Sequence, residues 1–135
     1  MPICEVETNI PSDKVPKEFE FQLTDLLADS MGKPKWSIGV IINAGKRLIH
    51  GGTADPVAIT TIRSIGKVSA EENIKHMKRI TEFYSQQLGL PAEKLILTSI
   101  SFAFIYYKNQ VFVNFVDLQP HCVGINGTTV AEAFK

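Results

Sequence analysis

The sequence predicts an α+β domain in which two βαβ repeats form a four-stranded sheet with both helices on one face. Three observations support this class: two amphipathic helical stripes, strand-like apolar runs around each stripe, and a repeat of the pattern at an offset of 57 residues. The matched pairs include Ser12 with Ser69, Met31 with Leu88, Gly32 with Gly89, and Pro34 with Pro91. The 135 residues therefore form a single domain, 1–135, with pseudo-repeats at about 1–57 and 58–135.

The first repeat begins with a short strand over residues 3–8, which ends before Pro11. Ser12 is the expected N-cap of the helix that follows, and Gly32 is its expected stop because glycine accepts the left-handed C′ conformation. Five apolar residues at helical spacing form the buried stripe of this helix: Phe19, Leu23, Leu26, Leu27 and Met31.

The remaining strands and the second helix follow the same pattern. An apolar run over 38–42 predicts the second strand, and a short return strand is expected at 47–49. Residues 57–65 predict the third strand. Ser69 and Glu72 have the spacing of a capping box at the start of the second helix. Its apolar stripe consists of Ile74, Met77, Ile80, Tyr84 and Leu88.

The second face of the sheet is expected to be apolar, because Ile41, Ile59 and Leu97 leave little polar alternation. An apolar sheet face without covering helices is usually buried against another subunit. The residues alone therefore predict an oligomer. The alternative is a fold that covers its own second face.

Composition excludes several classes of function. The 14 basic and 14 acidic residues balance, so neither a nucleic acid nor a membrane is an expected partner. The start lacks the basic and apolar regions of a signal peptide. Cys4 and Cys122 form no CxxC pair and are expected to be reduced, buried thiols. The three histidines are scattered, so neither a metal site nor a cofactor is expected: His50, His76 and His121.

The start of the chain carries the most distinctive chemistry. Pro2 follows Met1 directly, and a proline in this position is small enough for Met1 to be trimmed. Trimming exposes a secondary amine, and an α-amino group titrates near ~7.7–8, closer to neutrality than lysine. Burial or a neighbouring cation lowers that pKa further. A terminal Pro2 in a pocket is thus a candidate general base.

These features resemble the family of macrophage migration inhibitory factor and D-dopachrome tautomerase, within the tautomerase superfamily, and are nearest to its nematode members. The resemblance covers nearly the whole chain outside one insertion. The segments that carry it are Met1-Pro2, Thr8-Asn9-Ile10-Pro11, Gly32-Lys33-Pro34, Gly51-Gly52, Asp55-Pro56, Ser64-Ile65-Gly66-Lys67 and Val123-Gly124-Ile125-Asn126-Gly127-Thr128-Thr129.

The resemblance implies a homotrimer whose sheets form a central barrel, with three active sites at the subunit boundaries. It implies keto–enol tautomerisation of small aromatic acids, such as phenylpyruvate and dopachrome methyl ester. It also implies a cytokine-like ligand for a cell-surface receptor. Such proteins are found in the cytoplasm and leave cells without a signal peptide, so both locations are expected here.

Residue roles also follow from the resemblance. Pro2 would be the catalytic base, which takes a proton α to a carbonyl and returns it to the neighbouring carbon. Lys33 would bind the substrate carboxylate and lower the pKa of the Pro2 amine. The backbone of Ile65 would contact the substrate, with a weaker claim for Ser64. Lys33 has a simpler alternative role as a cation near a helix C-terminus.

Departures from the family pattern predict an altered pocket. A family tyrosine and asparagine align with Ile96 and Thr98, and an aromatic wall aligns with Ile125, near Val123. A C-terminal phenylalanine aligns with Val130. Losing the phenolic donor costs about 1 kcal/mol or more, so we expect altered substrate preference and weak activity. Val57 and Thr60 stand where some family members have the cysteines of a CxxC motif, which argues against thiol–disulfide oxidoreductase activity.

Residues 99–114 have no counterpart in the family pattern. Ile100, Phe102 and Phe104 alternate, 108–110 could turn, and 111–113 could return, which is typical of a hairpin. Three interpretations remain open. The segment extends the preceding strand pair, or displaces the C-terminal segment, or is a translated intron whose removal joins Thr98 to Phe115.

Two functions follow from these predictions. The first is a Pro2-dependent tautomerase. The second is a weakly active or inactive member of the family that acts as a signalling or binding protein with a vestigial pocket. An oligomer inactivated by the insertion is a third possibility.

Overall fold

The computed structural model describes residues 1–90, 94–98, 103–107 and 111–135. A mixed four-stranded sheet with two long helices forms its centre. In chain order the elements are β1 (Ile3–Thr8), α1 (Phe19–Met31), β2 (Gly39–Asn43), β3 (Ala58–Ser64), α2 (Ala70–Leu88), β4 (Lys94–Thr98), β5 (Ala103–Tyr107), β6 (Val111–Asp117), β7 (Gly124–Ile125), β8 (Thr128–Thr129) and α3 (Val130–Ala133).

The sheet has the strand order β2-β1-β3-β6. Strand β1 runs parallel to β2 and antiparallel to β3, and β3 runs parallel to β6. Cys4 lies opposite Val40 and Ile62, and Ile62 lies opposite Phe115. Each parallel pair is joined through one of the two long helices, as βαβ units require. The expected fold class is therefore confirmed.

The first helix ends where the sequence predicts but begins later. Gly32 has a φ of 62° and forms the left-handed C-cap. Ser12 starts only a short 3-10 turn, and α1 begins at Phe19. The expected N-cap at Ser12 is wrong because Val15 precedes Pro16 and takes the extended conformation that residues before proline favour.

The second helix begins at its predicted cap. The backbone N–H of Glu72 donates to the Ser69 Oγ over 3.2 Å, and that hydroxyl donates to the Glu72 Oε1 over 2.8 Å. Gly89 ends the helix with a φ of 69°. The exchange between Ser69 and Glu72 satisfies one of the orphan N–H groups of the first turn.

The core lies between the two helices and one face of the sheet. Its fully buried members come from every layer: Cys4, Val6, Phe19, Leu23, Leu27, Ala58, Ile62, Ile80 and Tyr84. Two buried hydroxyl groups of this core are paired with each other. The Thr60 Oγ1 and the Tyr84 hydroxyl lie 2.7 Å apart, so the phenol does not remain an unsatisfied group under α2.

The loop between β2 and β3 is held by a side chain rather than by the expected return strand at 47–49. An isolated bridge joins His50 and Thr53, and the N–H groups of Gly45 and Lys46 donate to the carbonyls of Ile10 and Thr8. The Asn9 amide organises the loop instead. Its Nδ2 donates and its Oδ1 accepts, with the partners being the carbonyls of Leu48, Ala54 and Asp55 and the N–H of Val57.

The fourth strand of the sheet is Val111–Asp117, not the segment that contains Ile96 and Thr98. Strand β4 pairs antiparallel with β5 in a separate two-stranded sheet, with Ile96 opposite Ile105. Apolar side chains alternate along β6, and this alternation explains why β6 rather than β4 lies beside β3. Val111, Val113 and Phe115 point toward the helices and pack against the core.

This arrangement also corrects the expected limits of the insertion at 99–114. Its last residues, 111–114, belong to β6, and 103–107 pair with 94–98 rather than with 111–113. Residues 94–98 and 103–107 form a hairpin, and the choice among the three interpretations of the insertion stays a prediction. The expected turn at 108–110 and the first-arm residues Ile100 and Phe102 lie outside the described residues.

The face of the sheet away from the helices is more polar than expected. Ile41 and Ile59 lie on it, but Leu97 lies on β4 and outside this sheet. A polar row crosses the same face. The Asn43 Nδ2 donates to the carboxylates of Glu5 and Glu7 over 3.4 and 3.2 Å, and the Arg63 guanidinium lies 3.6 Å from Glu5.

Candidate active site at the N-terminus

The start of β1 is fixed against β2. Pro2 is buried, and its carbonyl accepts a hydrogen bond from the Gly39 N–H over 2.9 Å. Gly39 lies opposite Ile3, and a Cβ at Gly39 would approach the Ile3 Cδ1 to 3.0 Å. The close approach of the two strands therefore favours glycine. Met1, which is 37% exposed, extends from Pro2 toward solvent.

Lys33 lies beside this terminus because α1 ends at Gly32. Its Nζ donates to the Ile65 carbonyl over 2.9 Å, which ties the end of α1 to the end of β3. Burial lowers the pKa of the α-amino group at Met1, and the positive charge of Lys33 lowers it further. This amine is that of Met1, so the predicted influence of Lys33 on a Pro2 amine stays a prediction.

The turn after β3 carries the carbonyl that holds Lys33. Ser64 is buried, and its hydroxyl donates to the Gly66 carbonyl over 2.9 Å. That contact gives Ser64 a structural role within the turn. The Gly66 N–H donates to the Asp117 Oδ1 over 3.1 Å. The Ile65 carbonyl and the Gly66 N–H belong to one peptide group, which is held on one side by Lys33 and on the other by Asp117.

Asp117 is a residue that sequence reasoning missed. The insertion expected at 99–114 overlaps β6, so the sequence does not indicate that Asp117 ends a strand of the central sheet. The parallel register places Asp117 opposite Ser64, at the same edge of the sheet as the turn. The signal for Asp117 was a carboxylate at the end of a strand-like run, because that run pairs with β3 and the turn at Gly66 follows β3.

The fourth strand also changes which side chains the sheet can offer to a substrate. Ile96 and Thr98 lie on β4, so the four-stranded sheet does not present them. Phe112 and Asn114 lie on β6 and point away from the helices. An aromatic residue and an amide two positions apart have the spacing of the family's tyrosine and asparagine. This spacing within 111–117 was the missed signal.

The C-terminal candidates lie in a small hairpin. Ile125 pairs with Thr128, and the Val123 carbonyl accepts from the Val130 N–H over 2.8 Å. Both candidates, Val123 and Ile125, are half-buried. These contacts join the parts of the hairpin to one another, and among the described hydrogen bonds none joins them to Pro2 or Lys33.

Two large grooves open elsewhere on the surface. One has a volume of about 1180 Å³ and follows α2 beside β6, where Ile74, Met77 and Phe115 contribute to its lining. The other, of about 1060 Å³, lies between Pro11 and Leu48. Neither is lined by Pro2 or Lys33. The polar contacts of the terminus identify the candidate site better than cavity size does.

The described residues form neither a cluster of metal ligands nor a helix that could span a membrane. Within 1–90, 94–98, 103–107 and 111–135, three or more histidine, cysteine or acidic side chains nowhere come together as a metal site. The helices in these ranges are too short or too polar to cross a bilayer.

The fold and the terminal site place the chain in the class of tautomerase-fold proteins. A family model described as macrophage migration inhibitory factor (MIF) matches residues 1–106. The chain is similar to "MIF-like protein mif-2" of Caenorhabditis elegans, at 52% identity over 135 residues, with 100% of this chain and 99% of the relative covered.

Two further comparisons agree. "D-dopachrome decarboxylase" of Gallus gallus is 30% identical over 131 residues, which covers 96% of this chain and 98% of the relative. The solved structure of macrophage migration inhibitory factor from Trichinella spiralis has a TM-score of 0.79 at 30% identity, and covers 94% of this chain and 98% of its own. The chain belongs to the macrophage migration inhibitory factor family.

Proposed function

We propose that this chain is a keto–enol tautomerase of small aromatic keto acids, with the amine of Pro2 as the general base. One observation carries the proposal: Pro2 is buried at the start of β1, and the pKa of the Met1 amine next to it is lowered by burial and then by the charge of Lys33, so the Pro2 amine is expected in the same surroundings once Met1 is removed. An amine that is neutral near physiological pH can accept a proton, whereas an ordinary lysine cannot. Removal of Met1 is required, because the Pro2 nitrogen is otherwise an amide.

The reaction balances without a cofactor. The neutral amine takes a proton from the carbon α to the substrate carbonyl, and the C–H electron pair forms the enol double bond. The carbonyl oxygen becomes an enolate, which takes a proton from water to give the enol, and the protonated amine releases its proton to water. In the reverse direction the protonated amine returns its proton to carbon. The substrate is isomerised, and Pro2 ends in its original state.

Lys33 has the donors to bind the substrate as well as its own turn. An ammonium group carries three N–H donors, and one of them is used by the Ile65 carbonyl at 2.9 Å. The others are available for the carboxylate of a keto acid. The carboxylate would be held by a charge-assisted hydrogen bond, which orients the α carbon toward the amine.

We propose that the site is completed in a homotrimer. The support is the exposed face of the sheet, where Ile41 is 46% exposed and Val116 is 38% exposed. Phe112 and Asn114 lie on that face rather than beside Pro2 of the same chain. A neighbouring copy would cover the apolar residues and bring such side chains to a subunit boundary.

The assignment of β6 changes the expected strength of this activity. Weak turnover was expected because Ile96 and Thr98 replace a phenol and an amide. Phe112 and Asn114 would restore an aromatic wall and an amide, although not the phenolic hydroxyl. We therefore propose measurable turnover, with a preference for aromatic keto acids that do not need a phenolic donor.

A second function is supported by the similar proteins, which are named as homologues of macrophage migration inhibitory factor or as MIF-like. We propose that the chain also acts as a cytokine-like ligand of a cell-surface receptor and is present both in the cytoplasm and outside cells. The alternative is a catalytically weak or inactive binding protein of the same fold. Catalysis and receptor binding are separable by a change at Pro2.

The test is tautomerisation of phenylpyruvate and dopachrome methyl ester by protein whose N-terminus is verified by mass to be Pro2. Pro2→Gly and a form that retains Met1 serve as controls, and size measurement establishes the oligomer. Activity that is present in the processed protein and lost in both controls supports the enzyme. A processed trimer without activity overturns it and favours the binding protein.

A further inference from the structure

The buried histidine of α2 is not explained by packing alone. His76 is 2% exposed and is the one titratable side chain among the buried polar residues of the described chain, the others being Thr8, Thr60 and Ser64. Both of its ring nitrogens have partners. The Nδ1 lies 2.6 Å from the Ser30 Oγ of α1, and the Nε2 lies 2.7 Å from the Lys67 carbonyl. A carbonyl oxygen only accepts, so the Nε2 carries a hydrogen and donates to Lys67.

Lys67, whose carbonyl accepts the hydrogen bond from His76, has an unfavourable backbone conformation. Lys67 has a φ of 64° and follows Gly66, which has a φ of 72°. A left-handed conformation costs a residue with a Cβ free energy, and it persists where its surroundings hold it. Two side chains hold this turn from opposite sides. His76 binds the Lys67 carbonyl, and Asp117 binds the Gly66 N–H.

The turn is continuous with the proposed site. The carbonyl of Ile65, which precedes Gly66, accepts the hydrogen bond of the Lys33 Nζ. We propose that His76 is a positioning residue, which fixes the turn over residues 65–67 and thereby holds Lys33 where it binds the substrate carboxylate. This proposal rests on the proposed tautomerase function, since the substrate is that of the Pro2 site.

A histidine that only fills the core would behave differently. Its ring lies 6.0 Å from that of Phe115, so its loss would also remove packing under β6. A packing role predicts lower stability with unchanged substrate affinity. A positioning role predicts a change in KM that depends on whether the bond to Lys67 is kept, irrespective of the stability lost.

Two amide substitutions separate the contacts of His76. In His76→Gln the amide reaches the position of the Nε2 and can still donate to the Lys67 carbonyl. In His76→Asn the shorter amide reaches only the position of the Nδ1 and keeps the contact to Ser30. Tyr84→Phe is the matched control on the same helix, because it removes a buried hydrogen bond to Thr60 that does not involve the turn.

The measurements are KM and kcat for phenylpyruvate, with unfolding by urea in parallel. Loss of the Lys67 hydrogen bond is expected to raise KM about five- to tenfold in His76→Asn, with little change in kcat. His76→Gln should remain within about twofold of the wild-type KM, by the same conversion. Tyr84→Phe should lower stability and leave KM unchanged. Equal KM values in the Asn and Gln variants would overturn the proposal.

A second readout does not need turnover. The pKa of the terminal amine is measured by NMR of protein labelled at Pro2. A released Lys33 would move away from the amine, so His76→Asn should raise that pKa while Tyr84→Phe leaves it unchanged. An inactive wild type with this shift would contradict the tautomerase and keep the positioning role of His76. An unchanged pKa in His76→Asn would contradict the positioning role itself.

Discussion

Lys33 and Asp117 bind opposite sides of one peptide group. The Lys33 Nζ donates to the Ile65 carbonyl over 2.9 Å, and the Gly66 N–H donates to the Asp117 Oδ1 over 3.1 Å. Lys33 and Asp117 are thus connected through the planar peptide group between Ile65 and Gly66. Each of the two hydrogen bonds polarises this peptide group and so strengthens the other. A change at Asp117 is therefore expected to reach Lys33 without any direct contact.

This relationship predicts different results for two changes at Asp117. Asp117→Ala removes the acceptor of the Gly66 N–H and should lower the free energy of unfolding by about 1 kcal/mol and raise KM. Asp117→Asn keeps an acceptor oxygen and should stay near wild type in both. Urea unfolding and steady-state kinetics measure the two effects. If the alanine variant kept both its stability and its KM, the hydrogen bond would have no such role.

The pH dependence of activity follows from the environment of the amine. Burial, and then the charge of Lys33, lower the pKa of the Met1 amino group, and we expect the same direction for the Pro2 amine once Met1 is removed. The neutral amine is the active form, so kcat/KM should rise with pH through that lowered pKa. Removing the positive charge in Lys33→Met should raise the pKa and move the rise to higher pH.

The charge and the length of Lys33 can be separated in the same experiment. Lys33→Arg keeps the charge and should keep the acid limb of the profile near its original pH. A profile that did not move in Lys33→Met would show that Lys33 does not influence the base. The comparison uses kcat/KM because it reports the ionisation of the free enzyme.

The two cysteines should differ in reactivity. Cys4 is fully buried in β1, and burial raises the pKa of its thiol to about 12. Cys122 is exposed after β6, so the expectation that both thiols are buried is wrong for Cys122. The thiolate is the reactive form. A thiol reagent should therefore label Cys122 in the native protein and Cys4 only after unfolding. Cys122→Ser should show no native labelling. Rapid labelling of that variant would contradict the burial of β1.

Asn9 should be important for stability because its amide replaces a strand in the loop after β2. Asn9→Ala removes contacts to three carbonyls and to the Val57 N–H. We expect a loss of about 2–3 kcal/mol, measured by chemical unfolding. Asn43→Ala is the matched control, since its amide binds only glutamate side chains on the sheet surface. A smaller loss at Asn9 than at Asn43 would refute this role.

The local features of the fold were predictable from the sequence. Both helices have stripes at regular spacing and glycine stops, and Ser69 and Glu72 define a complete cap. The role of Lys33 beside a Pro2 amine follows from the resemblance and stays a prediction, whereas the contact observed for Lys33 is with the Ile65 carbonyl. These features depend on nearby residues and on short-range sterics, which a single sequence carries directly.

The choice of the fourth strand could not be predicted in the same way. Two segments of the chain, 94–98 and 111–117, have strand character, and either could lie beside β3. The choice depends on long-range packing, because Val113 and Phe115 fit opposite Thr60 and Ile62. Asp117 and Asn114 were missed for the same reason, since their roles depend on which strand occupies that edge.

Hydrogen exchange would test the strand assignment. Amides in Val111–Asp117 are paired with β3 in a sheet that covers the core, and should exchange as slowly as those of β3. Amides in Lys94–Thr98 belong to a two-stranded hairpin, and we expect faster exchange because such pairs are marginally stable. The opposite order of protection would place β4, rather than β6, beside β3.

The long connection between β3 and β6 has a consequence for how the chain acquires its structure. Ribosomal synthesis delivers residues 94–98 before residues 111–117, when the edge of β3 is still vacant. We expect the earlier segment to occupy that edge transiently, because closure of the shorter loop is faster. The native sheet would then form by displacement of one strand by another. Such an exchange would be the slowest event in folding, and nascent chains would aggregate most readily before it is complete.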